Sequence, residues 1–492
     1  MPTFRAPFVY SRISLHKNLF KASHVSQARK YAAEATSYTP PRAEKKEGDI
    51  SDVFSSLKDS VSNDLPPRFS QLKKDLWNDT MSQSWKEILG ELEVKTEEIA
   101  SLGPEAVPRV SYEEIRTGLS NEKLARVKDA GVVVVTGAVP REEALAWKKS
   151  IRDYAAANKE RVRGFPADNI QVYEFYNTFA QTKARTHPAV LDTQRYLLSL
   201  WHKSDPNSEV DLSTPISYFD RLRIRLPGDT VFTLGPHCDG GSIERWEDPT
   251  FRSCFKHIFE GTWRSHDSFD VTPRLYAKQD LYNGASQCSI FRPWQGWLSI
   301  SSTGPGEGTL RVFPALKLST AYTILRPFFR PKDSSSSSLR VEDWELDLDG
   351  SSFPGSGLGK GQEFTEKTHP HLQLGRAMTS VPKVEPGDQV FWHCDLIHAV
   401  ENEHKGKGDS SVMYIPAVPL TEYNAHYLRH QRENFVAGKP APDFPGGEGE
   451  SKFTGRGKEE HITNHLGRQA YGFEPFEAST PFLKRVNDIL HV

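Results

Sequence analysis

The sequence predicts an α+β protein in which helices and strands occupy separate regions. Between Phe54 and Leu102, apolar residues recur at helical spacing among Lys, Glu and Asp, as in helices that bury one stripe. From Ile216 onward the pattern alternates instead. Leu222-Arg-Ile-Arg-Leu226 then runs into a Pro-Gly-Asp turn, which indicates β-strands with one wet face. A helical N-terminal part followed by a β-rich core is the arrangement of α+β folds.

Composition indicates a folded, soluble chain, and we expect neither a nucleic-acid partner nor a membrane span. Of 492 residues, 37% are hydrophobic and 26% are charged, close to ordinary globular values. The formal net charge of −2 gives no overall attraction to polyanions. The most apolar run, Gly131–Val135, is far shorter than a membrane span. Four cysteines in so long a chain do not form a disulfide scaffold, so a reducing compartment is expected.

The first 36 residues have the composition of a mitochondrial transit peptide. They combine basic residues, serines and scattered apolar residues, and the first acidic residue is Glu34. This composition favours mitochondrial targeting; the alternative is a basic disordered tail on a cytoplasmic protein. Residues 37–52, rich in proline and charge, are interpreted as a linker.

Three regions are expected to follow the linker. Residues 53–214 should form a mainly helical lobe that adds one or more strands to the edge of the core. Residues 215–422 should form the β-core, interrupted at 327–380 by a segment rich in serine, glycine and charge. Because uncovered segments of this length are usually lids or mobile loops, it is interpreted as a surface insertion. Residues 423–492 are expected to pack on the outside of the core.

The segment His237-Cys-Asp239-Gly-Gly241 is the most informative part of the sequence. Residues two apart on an extended chain project from the same face. His237 and Asp239 can therefore present an imidazole nitrogen and a carboxylate oxygen to one point. The two glycines let the backbone turn and leave room beside these groups. Together, His237 and Asp239 can supply two ligands of a metal ion.

A third ligand is expected from a later strand. The Pro386-Gly-Asp388 turn starts that strand, and His398 lies at its far end, where residues of neighbouring strands converge. His393 is the rival candidate. On a regular strand His393 and His398 have opposite parity, so both cannot face the metal. We prefer His398 and interpret His393 as a packed or hydrogen-bonded strand residue.

Two histidines and one carboxylate on one face of an octahedral metal are the ligands of non-haem Fe(II) oxygenases. This arrangement leaves three positions open for a co-substrate and O2. Zinc in hydrolytic sites also takes two histidines and a carboxylate, so the residue types alone do not choose the metal. We predict that His237, Asp239 and His398 are the metal ligands and the catalytic residues.

These motifs resemble two groups of proteins. The His237-Cys-Asp239 motif, the distant His398 and the segment Gly308–Pro314 resemble oxygenases of the phytanoyl-CoA hydroxylase type. Most of the chain resembles more closely the YbiU-like group, a domain-of-unknown-function family. The segments that carry this second resemblance are Asp220–Asp229, Val390–Glu401 and Ser410–Ala417.

The resemblance implies a double-stranded β-helix core, also called jelly-roll or cupin-like, with flanking helices. It also implies Fe(II) as cofactor, 2-oxoglutarate as co-substrate, and O2 and a small molecule as further substrates. In such enzymes a cation binds the distal carboxylate of oxoglutarate, since a buried unpaired charge is costly. Many relatives place an arginine shortly after the last histidine, but here Gly408, Asp409 and Ser410 stand there. The candidates for co-substrate binding are Arg311, Arg223 and Arg225, with Ser411 and Tyr414 as further hydrogen-bonding residues.

Two other functions remain open at this point. One is a cupin-like hydrolase or isomerase that uses zinc or manganese at the same triad, which the missing arginine favours modestly. The other is a non-catalytic β-helix protein that binds a small molecule or a partner, although such a protein has no need of three ligands.

Aromatic residues could wall the pocket or belong to the core; these are Trp294, Trp297, Phe291, Trp392 and Tyr282.

Overall fold

The computed structural model of the protein describes residues 45, 48, 50–54, 65–334, 337–444 and 446–491. The transit-peptide-like segment and much of the predicted linker lie outside these residues, so mitochondrial targeting stays a prediction. The described chain is a mixed α/β protein with two large sheets. Among its described helices, none has the length and apolar character that a bilayer crossing requires.

The strands of the described chain are short and spread over most of its length. They are β1 Arg109–Ser111, β2 Val132–Thr136, β3 Gly164–Phe165, β4 Val172–Tyr173, β5 Val210–Ile216, β6 Leu222–Arg225, β7 His237–Cys238, β8 Trp294–Ser299, β9 Leu310–Val312, β10 Phe329–Pro331, β11 Trp344–Leu346, β12 Gln362–Glu363, β13 Thr379–Ser380, β14 Gln389–His393, β15 His398–Val400, β16 Ser410–Tyr414 and β17 Val418–Thr421.

The helices lie before, between and after these strands. They are α1 Ile50–Val53, α2 Arg68–Leu76, α3 Thr80–Leu102, α4 Tyr112–Thr117, α5 Asn121–Ala130, α6 Arg141–Ala157, α7 Phe179–Arg185, α8 Pro188–Ser199, α9 Glu244–Glu247, α10 Pro249–Ser253, α11 Lys256–Phe259, α12 Leu316–Leu325, α13 Leu374–Ala377, α14 Glu422–Ala437, α15 His465–Ala470 and α16 Pro481–His491.

The two large sheets join strands that are distant in sequence. The larger has the order β1-β2-β14-β8-β16-β6-β4-β3, and the smaller has the order β12-β7-β15-β9-β13. Strands β1 to β4 thus come from the predicted helical lobe. Leu310 and Val312 of the smaller sheet share a hydrophobic cluster with Trp297, Val390 and Val412 of the larger. The two sheets therefore pack against each other around one interior.

Strand β6 shows the predicted alternation, but neither of its faces is wet. Leu222 and Ile224 belong to a cluster with Trp147 of α6. Arg223 and Arg225, on the opposite face, are only 3% and 0% exposed. The alternation therefore separates an apolar face, which packs on a helix, from a polar face in the protein interior. The prediction that one face of this strand contacts solvent is wrong.

The segment 327–380 is not the surface loop or lid that its composition predicts, because much of it is buried. Phe329 and Trp344 are among the buried residues of a cluster that also contains Trp85 of α3. Trp85 stacks on Phe329 with the ring centroids 4.4 Å apart. Strand β12 of the same segment pairs with β7, the strand that carries His237. The segment is thus a packed part of the fold.

The C-terminal extension packs on the β-core through α14 and α16. Tyr427 and Leu428 of α14 and Val486 of α16 share a buried cluster with Val418 of β17. Strand β17 in turn pairs with β5 in a separate two-stranded sheet. The extension is therefore attached to the strands that follow β16.

Candidate metal centre

The side chains of His237, Asp239 and His398 meet in the interior between the two sheets. His237 of β7 and His398 of β15 are direct cross-strand partners, with ring centroids 4.1 Å apart. The Asp239 carboxylate has Oδ1 3.7 Å from His237 Nε2 and Oδ2 3.4 Å from His398 Nε2. Each residue offers a ligand atom, and these atoms lie within 4.8 Å of one another. The three predicted ligands are thus brought together.

Backbone carbonyl groups fix the orientation of both imidazoles. His237 Nδ1 lies 2.7 Å from the Gly235 carbonyl oxygen, and His398 Nδ1 lies 3.0 Å from that of Leu396. With the proton on Nδ1 donated to these carbonyls, each Nε2 keeps its lone pair for a ligand. The local strand geometry therefore presents both Nε2 atoms toward Asp239.

The protonation states of this group suit metal ligation. Burial, together with the neighbouring His398, lowers the pKa of His237 to about 4. Burial alone would raise the pKa of Asp239, but the close approach of His398 and nearby positive charges hold it below its usual range. At neutral pH His237 is neutral and Asp239 is ionised, as ligands must be. Two imidazole nitrogens and a carboxylate fit Fe(II) or Zn(II).

His393, the rival third ligand, is packed away from this group. Its Nε2 lies 2.9 Å from the Ser268 carbonyl oxygen, and its Nδ1 accepts the backbone N–H of Asp395 at 3.0 Å. The ring stacks on Trp201 with the centroids 4.8 Å apart. Both ring nitrogens are therefore engaged, and the structure agrees with the sequence interpretation of His393.

A second group of ligand-type residues lies nearby but is already paired. His393, Cys394 and Asp395 have ligand atoms close to one another. The Asp395 carboxylate, however, forms ion pairs with both Arg245 and Arg274, and its side chain is 3% exposed. This carboxylate is thus neutralised by guanidinium groups, and the cluster is structural.

The triad faces a cavity of about 120 Å³. Phe54, Trp297, Trp392 and Phe444 supply aromatic parts of its wall. Of the aromatic residues proposed from sequence, Trp297 and Trp392 therefore line the cavity. The others are not among its lining residues; these are Trp294, Phe291 and Tyr282.

Arg223 and Tyr414 also line this cavity. Arg223 is 3% exposed, and burial lowers the pKa of its guanidinium. Its Nη2 reaches only the Gly308 carbonyl at 3.3 Å and the Ser410 hydroxyl at 3.4 Å, while its buried Nε has no hydrogen-bond partner. None of the ion pairs formed by the described residues includes Arg223. It is a buried cation without a carboxylate.

The remaining predicted co-substrate residues lie away from the cavity lining, which corrects their assignment. Arg225 is paired with Asp229, its Nε 2.8 Å from the carboxylate. Arg311 is the cross-strand partner of Ala399, next to the predicted ligand His398, so it projects from the opposite face. Its guanidinium donates to the Met378 carbonyl at 2.7 Å. The Ser411 hydroxyl donates to the Asp409 carboxylate at 2.6 Å.

Sequence reasoning missed two parts of the site. The first is Arg292. Its signal in the sequence is its position immediately before Pro293 and Trp294, where β8 begins. Its Nη2 lies 3.8 Å from Asp239 Oδ2, and its Nη1 lies 3.6 Å from Asp220 Oδ2. Phe54, just past the predicted linker, packs edge-on against the His237 ring with the centroids 4.7 Å apart. No local pattern places Phe54 there.

Comparisons with known proteins agree with the YbiU-like resemblance. A family model described as Gig2-like matches residues 63–473. The curated protein YbiU of Escherichia coli K12, described as uncharacterized, is 31% identical over 409 residues, covering 80% of this chain and 92% of YbiU. The resemblance to the YbiU-like group is thereby confirmed.

Solved structures show the same similarity. GlcNAc Inducible Gene 2, GIG2 (DUF1479), from Candida albicans matches with a TM-score of 0.79 and 34% identity, covering 88% of this chain and 96% of that one. The hypothetical protein JW0805 from Escherichia coli matches with a TM-score of 0.70 and 30% identity, covering 84% and 99% of the two chains.

Proposed function

This chain belongs to the Gig2-like family, and we propose that it is a non-haem Fe(II)- and 2-oxoglutarate-dependent dioxygenase that hydroxylates a small molecule. One observation carries the proposal: a single cavity contains both the His–Asp–His triad and a buried arginine without a carboxylate partner. The triad has the composition of a facial Fe(II) site. The arginine is the group that a dicarboxylate co-substrate needs.

The two large sheets support the corresponding fold. They pack around one interior, and apart from the parallel β1–β2 pair their strands pair antiparallel. The ligands His237 and His398 lie on the smaller sheet, and Arg223 lies on the larger. We take this as the double-stranded β-helix that the sequence resemblance implies, with the site between its two sheets.

The chain's own residues would hold and shield the metal. The carbonyls of Gly235 and Leu396 fix the two imidazole rings. Phe54 packs on His237, and Trp392 packs on His398 with the centroids 5.1 Å apart. These aromatic contacts limit ring rotation and exclude water from one side of the site. When bound, iron and oxoglutarate supply O2 activation, with one oxygen atom entering the substrate hydroxyl and the other entering succinate, and with CO2 released.

Arg223 would bind the distal carboxylate of oxoglutarate. A carboxylate in the cavity can accept from its Nε, which now has no partner, and such a charge-assisted hydrogen bond is strong in a buried site. Arg223 would thus take the place of the arginine that many relatives have shortly after the last histidine and that this chain lacks there. Tyr414, whose side chain shares the cavity lining with Arg223, can add a further hydrogen bond.

The two alternatives explain less of the site. A zinc- or manganese-dependent hydrolase or isomerase would use the same triad but gives the unpaired Arg223 no role. A non-catalytic binding protein gives no role to three converging ligand atoms. The dioxygenase uses both features.

Oxygen-dependent release of succinate from oxoglutarate by Fe(II)-loaded protein tests the proposal. The wild-type protein should produce succinate slowly even without its substrate, Asp239→Ala should not, and Arg311→Gln should behave as wild type. A wild-type protein that binds zinc and releases no succinate would favour the hydrolase instead.

A further inference from the structure

We infer that the substrate carries a carboxylate group, which Arg292 binds beside the metal. This rests on the proposed function, which assigns another arginine of the cavity, Arg223, to oxoglutarate. The inference therefore names the substrate class of the same site. It follows from the charges of the cavity lining, from the partners of each arginine and from their depth.

The charged lining of the cavity leaves one positive charge uncompensated when the site is loaded. Its charged groups are three arginines and two aspartates: Arg221, Arg223, Arg292, Asp220 and Asp239. A divalent metal adds two positive charges and the oxoglutarate dianion removes two, so one guanidinium charge remains in excess. A buried charge without a partner is costly. A substrate with one negative charge would neutralise it.

Arg292 is the arginine left for that charge. Arg221 is held by Asp220, with its Nε 3.1 Å from the carboxylate, and its guanidinium lies over the Phe444 ring. Arg292 lies over the Tyr218 ring, 5.2 Å from its centroid, and its ion pairs with Asp220 and Asp239 are long, at 3.6 Å and 3.8 Å. Both exceed hydrogen-bond length, and no hydrogen bond joins the Arg292 guanidinium to another described residue. Its N–H groups can therefore donate hydrogen bonds to a ligand in the cavity.

Depth separates the roles of Arg292 and Arg223. Arg223 is buried, whereas Arg292 and the adjacent Asp239 are only half-buried. The more open side of the triad is therefore the side of Asp239 and Arg292. A co-substrate that enters first can occupy the deeper arginine, and a ligand that enters afterwards meets Arg292.

The position of Arg292 also restricts where the substrate is oxidised. Its Nη2 lies 3.8 Å from an oxygen of the predicted metal ligand Asp239. A carboxylate paired with this guanidinium holds the carbons next to it beside the metal. The substrate is accordingly a small carboxylic acid that is hydroxylated within a few bonds of its carboxyl group.

A binding screen without turnover tests the inference. Protein saturated with Fe(II) and oxoglutarate under argon is titrated by calorimetry with hexanoate, hexanamide and hexylamine, and with similar sets built on branched and aromatic skeletons. Members of the carboxylate sets should bind, and Arg292→Gln should weaken them about 10- to 100-fold. The same variant should bind oxoglutarate as wild type does. Arg311→Gln, an arginine outside the cavity lining, is the matched control and should retain both affinities.

Several results would overturn the inference. These are binding confined to amides or amines, binding of no carboxylate, and carboxylate binding that Arg292→Gln leaves unchanged. Failure of the wild-type protein to bind oxoglutarate is a separate result, and it would overturn the proposed function itself. The oxoglutarate titration therefore distinguishes the two failures.

Discussion

His237 and His398 are direct cross-strand partners on β7 and β15, and their ring centroids lie 4.1 Å apart. The distance between these two predicted ligands is thus set by a backbone ladder and not by a loop. On its other side β7 pairs with β12, so the ligand strand is held from both edges. The predicted metal site is therefore formed by the fold itself.

His398→Ala should remove metal binding without unfolding the protein, because His398 lies at a strand end and its neighbours keep their ladder. We expect the affinity for Fe(II) to fall at least about 100-fold, since even the loss of a group supporting a ligand costs 10- to 100-fold. Metal content after dialysis checks this. His257→Ala changes a half-exposed histidine outside the site and should bind metal as wild type does; equal metal loss in both variants would contradict the assignment.

Arg223→Gln and Arg225→Gln should have different effects although the residues are two positions apart. Arg223→Gln should lower oxoglutarate affinity about 10- to 100-fold and leave stability nearly unchanged. Arg225→Gln leaves the buried Asp229 carboxylate without its cation and should cost about 3–5 kcal/mol of unfolding free energy. Calorimetric titration and urea unfolding measure the two effects. A reversal of the two phenotypes would refute the placement of Arg223 in the co-substrate site.

Trp85→Ala should destabilise the protein by about 3–5 kcal/mol, because it removes a buried tryptophan that stacks on Phe329. The loss should appear in urea unfolding. Val94 lies on the same helix and is 70% exposed, so Val94→Ala should change stability by less than about 0.5 kcal/mol. A small effect of Trp85→Ala would indicate that the 327–380 segment is a detachable lid.

Glu450→Gln should change the pH dependence of stability. Burial raises the pKa of Glu450 from 4.5 to about 7, even though its carboxylate accepts hydrogen bonds from the Tyr154 hydroxyl and the Tyr176 backbone N–H. The folded state then binds the proton more tightly than the unfolded state. The stabilisation is fully present below pH 4.5 and is lost as pH rises through about 7.

Glutamine keeps an acceptor oxygen at this position but does not titrate. Between about pH 5 and about pH 8, the unfolding free energy of Glu450→Gln should therefore rise relative to wild type by up to about 3 kcal/mol. Urea unfolding at several pH values measures the difference. Parallel pH curves for the two proteins would show that Glu450 does not have a raised pKa.

The triad could be found from sequence because strand geometry is local. The spacing of two between His237 and Asp239 and the opposite parity of His393 and His398 follow from the period of a strand. The glycines after Asp239 and the turn before β14 are also visible in the sequence. Only a few strand pairs are needed to bring these segments together.

The arginines could not be sorted in the same way. Arg223 and Arg225 have the same parity on β6, and their difference depends on Asp229 and on the Glu401 carbonyl, which accepts from Arg225 at 2.6 Å. The outward direction of Arg311 depends on the register of β9 with β15. Register between distant strands is a tertiary property that composition and period do not encode.

The burial of the segment 327–380 could not be predicted from the sequence for a related reason. Its serine- and glycine-rich composition predicts a loop, and its buried aromatic residues, Phe329 and Trp344 among them, follow no helical or strand period. They are buried because α3 lies over them. Only the long-range packing of Trp85 shows that the segment belongs to the core.

Anaerobic absorption spectroscopy tests the central claim most directly. Addition of Fe(II) and oxoglutarate to the wild-type protein without O2 should produce the charge-transfer band of chelated oxoglutarate, and His257→Ala should give the same band. His237→Ala should abolish it, and Arg223→Gln should require a higher oxoglutarate concentration to reach it. A wild-type protein that binds Fe(II) but shows no band, or a band that persists in His237→Ala, would contradict the account.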